Sequence, residues 1–66
     1  MSIKLNGKKI SFNSGITLYD LLVEEGFIPD RIIVEHNLSI VPKEEWRKII
    51  IAQNDNLEVL SFVGGG

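Results

Sequence analysis

The chain has 66 residues with seven Lys and Arg, nine Asp and Glu, one His and no Cys, so it holds one domain at most and has no disulfide, thiolate metal site or cysteine nucleophile. Its content of 44% hydrophobic and 24% charged residues is that of a folded globular chain, and a net charge of −2 lacks the basic field with which nucleic-acid binders neutralise phosphates. No apolar run approaches the ~18 residues of a membrane span and residues 1–4 have no signal-peptide features; the expectation is a cytoplasmic partner protein rather than an autonomous enzyme.

In chain order, Ile3 and Leu5 alternate with polar neighbours, as do Ile10 and Phe12. Period two predicts strands at about residues 2–6 and 8–13, each with one buried face. Between them Asn6-Gly7 tolerates the positive φ of a type I′ hairpin turn and is read as a turn and nothing more. Leu18, Leu21 and Leu22 form an i, i+3, i+4 stripe. Thr17 suits the N-cap, Asp20 the positive end of the helix dipole, and Gly26 the left-handed position past the end. The prediction is one helix over about residues 17–25.

Residues 31–36 are β-branched and strand-like, and Asn37 suits a turn. Residues 39–41 make a short strand that Pro42 ends. Residues 43–46 form one helical turn, with Trp46 as a lid on a small core. Residues 49–51 read as another short strand and residues 53–56 as a polar turn. Residues 57–63 are the last strand, with Leu57 and Val59 facing the helix and Leu60 and Phe62 facing away. His36 reads as a half-buried strand residue, and the acidic pairs Glu24-Glu25 and Glu44-Glu45 as solvated surface that can steer the protein to a basic face.

Hairpin, helix, then more strands is the β-grasp or ubiquitin-like plan. It is an α+β fold with a mixed sheet of four to five strands and one packed helix. The single domain would span residues 1–63, and residues 64–66 would form a flexible glycine tail held at a fixed exit point by an interior last strand. Leu60 and Phe62, joined by Ile33, would then make a docking patch beside that tail.

The glycine run Gly64-Gly65-Gly66 is the least ordinary feature, and two readings compete for it: a disordered end with no role, or a strip whose lack of side chains is the point. A strip without side chains can thread a narrow channel and present its carboxylate to a nucleotide without a Cβ clash. That carboxylate is ionised at neutral pH and is a poor electrophile until joined to a phosphate as a mixed anhydride. An amine, a thiol or a persulfide can then attack it. With no thiol of its own, the chain could carry sulfur only as a terminal thiocarboxylate.

The hairpin–helix start, the segment Asn37-Leu38-Ser39-Ile40-Val41-Pro42-Lys43-Glu44-Glu45-Trp46, the Asp55-anchored last strand and the glycines together resemble the ThiS family of thiamine-biosynthesis sulfur carriers. The resemblance implies that a ThiF-type adenylyltransferase activates Gly66 with ATP and Mg. The carrier itself would bind no cofactor and no metal. Sulfur, ultimately from a donor such as a cysteine desulfurase, would convert Gly66 to a thiocarboxylate that thiazole synthase consumes, with Gly64 and Gly65 as the threading segment. The free carrier would be a monomer without nucleic-acid or membrane partners. The other readings are a carrier like the small subunit of molybdopterin synthase, a ubiquitin-like modifier of lysines, and, in a different class, a β-grasp module that binds RNA or protein.

Overall fold

The computed structural model describes residues 1–62. Its first hairpin joins β1 (Ser2–Leu5) to β2 (Lys8–Ser11). Asn6 and Gly7 have φ of 52° and 80°, the two positive values that a type I′ turn requires and that few residue pairs accept. Both strands are shorter than the alternation predicts: β1 ends at Leu5 because Asn6 belongs to the turn, and β2 ends at Ser11 opposite Ser2, where β1 begins.

Helix α1 (Leu18–Glu24) starts where the Asp20 N–H donates to Thr17 Oγ1 at 3.1 Å. Thr17 is thus the cap and not the first helical residue. At the other end Gly26 takes φ +90°. Its N–H reaches the Val23 carbonyl and the Phe27 N–H the Leu22 carbonyl, both at 3.0 Å. These two bonds are a Schellman closure, which accounts for carbonyls the helix would otherwise leave unpaired.

A short 3₁₀ segment (Pro29–Arg31) leads into β3 (Ile32–His36), which turns through Asn37 and Leu38 into β4 (Ser39–Ile40). A second 3₁₀ segment (Lys43–Lys48) carries Trp46, whose Nε1–H donates to the Val41 carbonyl at 2.9 Å. Trp46 is more than a lid, since it lies fully inside the core. The last strand is β5 (Asn56–Ser61).

The predicted strand at residues 49–51 does not form as a sheet member. Ile50 makes a lone bridge with Thr17, and the Leu18 N–H and Ile51 N–H bond to the carbonyls of Ile49 and Ile16. The segment's partner is therefore the three-residue approach to α1, too short to be a strand. Its work is to fix where the helix begins.

The five strands lie in the order β2-β1-β5-β3-β4. The β1–β5 pair is parallel and the others antiparallel, so this is the mixed sheet of a β-grasp fold with the last strand in the middle. Ile3, Leu5, Ile32, Val34, Leu57 and Val59 line one sheet face and form a single core with Leu18, Leu21, Leu22, Phe12, Trp46 and Ile51. The other face has no element of the described residues packed on it. No helix among the described residues is long and apolar enough to cross a membrane.

Candidate functional site

The uncovered face of the sheet carries the residues that alternate with the core. In β5 these are Glu58 and Leu60, because Leu57 and Val59 point to the helix. Leu60 lies directly opposite Ile33 of β3, and directly opposed side chains on one face touch. Leu60 is 67% exposed, Ile33 46% and Phe62 41%. The patch expected from the sequence is thus assembled from two neighbouring strands. Phe62 follows β5, and its N–H donates to the Arg31 carbonyl at 2.9 Å, which extends the ladder by one residue.

One step back along the same strands, Glu58 lies opposite Glu35, and Glu35 lies opposite Ile40. The apolar patch therefore has an acidic flank. The alternation along β3 puts Glu35 on the face of Ile33, but only the register with β5 brings Glu58 beside it, so the sequence alone does not announce this flank. The acidic pairs it offered instead, Glu24-Glu25 and Glu44-Glu45, lie off this face. Val63, Gly64, Gly65 and Gly66, which carry the expected tail and its reactive carboxylate, lie outside the described residues.

Two polar devices hold β5 in place. The first is Asn6, read from the sequence as a turn residue only. Its Oδ1 accepts from the Val59 N–H at 2.7 Å and its NH₂ donates to the Val59 carbonyl at 3.2 Å. Strand β1 ends at Leu5, so Val59 would otherwise face no peptide on that side. A side-chain amide has the same donor and acceptor as a backbone peptide, and it continues the ladder toward Leu60.

The second device is Asp55, at the start of β5 and 9% exposed. Its Oδ2 accepts from His36 Nε2 and from the Ala52 N–H, each at 2.9 Å, and its Oδ1 accepts from the Asn37 NH₂ at 3.1 Å. Asn37 Oδ1 in turn accepts from the Asn56 N–H at 2.8 Å. Burial by itself would raise the Asp55 carboxyl, but the hydrogen bonds from His36, Ala52 and Asn37, with the charge of His36 added, outweigh it and hold the group below its ordinary 3.8. His36 is accounted for as a strut of β5.

Five strands around one helix, with an apolar patch on the uncovered face of the central strand, define a small ubiquitin-like β-grasp protein. Residues 2–66 match the ThiS family, and the chain belongs to that family. It is 36% identical over 66 residues to a thiazole synthase of Magnetococcus marinus, a match that covers 100% of this chain and 20% of that protein. It is 34% identical over 65 residues to the sulfur carrier protein ThiS of Bacillus subtilis, covering 97% of this chain and 98% of that one. The chain thus spans only a small part of the synthase and nearly the whole of the Bacillus protein. The crystal structure of a thiamine biosynthesis protein (ThiS) from Geobacter metallireducens is similar with a TM-score of 0.82 at 25% identity, covering 100% of both chains.

Proposed function

We propose that the chain is a sulfur carrier of thiamine biosynthesis, a protein co-substrate rather than a catalyst, and that the carboxyl carbon of Gly66 is the atom that carries the sulfur. A ThiF-type adenylyltransferase, holding ATP and Mg in its own site, joins the carboxylate to the α-phosphate and releases pyrophosphate. A sulfur nucleophile then displaces AMP, so that a C–S bond replaces the C–O–P linkage: hydrosulfide gives the thiocarboxylate directly, and a persulfide supplied through a donor such as a cysteine desulfurase gives an acyl disulfide that a thiol reduces to the thiocarboxylate. Thiazole synthase takes the sulfur from the resulting thiocarboxylate. Gly64 and Gly65 form the strip that enters each partner's site, where a side chain would obstruct passage.

The observation that carries this reading is a family match that runs through Gly66 and extends over nearly the full length of the Bacillus carrier. The match to a thiazole synthase supports that enzyme as a partner. The exposed patch of Leu60, Ile33 and Phe62, with Glu58 and Glu35 beside it, suits a partner surface that is apolar at its centre and basic at its rim.

The test is intact mass after incubation of the purified protein with MgATP, the adenylyltransferase and a sulfide source. A single oxygen-for-sulfur exchange is expected, and ladders of higher mass would instead indicate conjugation to lysines. Deleting Gly66, or adding one residue after it, should abolish the exchange with no change in melting temperature. Full exchange in the lengthened protein without trimming would refute the assignment.

A further inference from the structure

At the end of the uncovered face away from Phe62, Lys4 and Lys9 lie directly opposite each other on β1 and β2. Like charges in that position destabilise a sheet. Neither ammonium belongs to an ion pair among the described residues, where the pairs are His36–Asp55, Lys43–Asp30 and Lys48–Glu45. An edge strand uses lysines to repel stray strands, which accounts for Lys9 on β2. It does not account for Lys4, because β1 is an interior strand.

The two lysines border a groove of about 570 Å³, with Ser2, Gln53, Asn54 and Asn56 on its walls and no carboxylate among its lining residues. In a chain of net charge −2 this is a local cationic site. The loop that supplies its wall is fixed. The Ser2 N–H donates to Gln53 Oε1 at 2.8 Å, and the Asn54 N–H to the Ser2 carbonyl at 2.9 Å. Both N–H groups of the Gln53 amide make long bonds, to Ser2 Oγ and Asn54 Oδ1 at 3.4 Å each, which a charged acceptor in the groove would displace. Two ammonium groups beside side-chain amides in an open groove fit a dianionic phosphate that stays partly solvated.

We propose that the groove between Lys4, Lys9, Gln53 and Asn54 binds the phosphate group of a small molecule. The inference goes beyond the sulfur-carrier reading and does not depend on it, since these residues lie at the opposite end of the sheet face from the patch.

The experiment is an NMR titration of the labelled protein with pyrophosphate at constant ionic strength, with sodium chloride as the control. Saturable shifts are expected at the amides of Lys4, Lys9, Gln53 and Asn54, with a Kd of about 1 mM. The double variant Lys4→Gln/Lys9→Gln should bind at least about tenfold more weakly while melting no lower than the parent, because a repulsive pair has been removed. Shifts that do not saturate, that chloride reproduces, or that persist in the double variant overturn the proposal. AMP and a single-stranded oligonucleotide separate the two sources of a phosphate group. Comparable affinity per phosphate supports a small-molecule site, and oligonucleotide binding more than about a hundredfold tighter than AMP overturns it. None of these measurements involves sulfur or the activating enzyme, so failure here leaves the Gly66 mass test untouched.

Discussion

At the scale of single residues, two polar side chains reinforce the backbone ladders that hold the central strand. Asn6 does two jobs, a left-handed turn and a surrogate peptide for Val59. Its turn role is legible, because Asn-Gly between alternating runs has a local physical meaning. Its bonding role is not, because Val59 is 53 positions away. Asn6→Gly separates them by keeping the backbone freedom and removing the amide. It should cost about 1–3 kcal/mol, read as a fall in melting temperature of about 5–15 °C, whereas a pure turn residue would tolerate glycine. Asp55 gives the pH dependence. Its folded carboxyl titrates below its ordinary value, so the stability it contributes is complete above about pH 4 and is lost as pH falls through the depressed folded value. Asp55→Asn should therefore melt well below the parent at pH 7, and the gap should close as melts are repeated toward pH 2.5. A gap that stays constant would show that the carboxylate charge contributes nothing.

At the scale of elements, the first hairpin, the helix and its two caps could be read from the sequence because each is specified by residues within a few positions. The strand at residues 49–51 was misread because β-branched composition reports a preference for extended backbone and not the presence of a partner. The β3–β4 turn is half legible. Asn37 signals a turn, but Leu38 follows it at φ +75°, where a bulky residue is rare, and no local pattern announces that. Leu38 is also 84% exposed, so little packing offsets the strain. Leu38→Gly should raise stability by about 1 kcal/mol, measured as a melting temperature about 4–8 °C higher. A lower melting temperature would mean that Leu38 has a stabilising contact.

At the scale of the whole molecule, the two sheet faces respond differently to mutation. A 66-residue domain has about 3–10 kcal/mol of stability, and deleting a buried aromatic costs about 3–5. Trp46→Ala should therefore leave little folded protein. Leu60→Glu and Phe62→Glu, on the uncovered face, should shift the melting temperature by less than about 3 °C while weakening binding to the adenylyltransferase proposed as partner about tenfold or more. A large thermal loss in either would place that residue in the core. Period-two alternation made this division legible before any coordinates; the acidic flank of Glu35 and Glu58 needed the register that pairs β3 with β5. The central position of β5 has a further consequence for how the protein is made. On the ribosome, β1 and β3 cannot be joined until residues 56–61 are free to lie between them, so the nascent chain holds two unsatisfied strand edges until that segment has itself emerged. Truncation just upstream of β5 would leave an incomplete sheet exposed to proteases and chaperones, and the patch itself forms only once the body beneath it has closed.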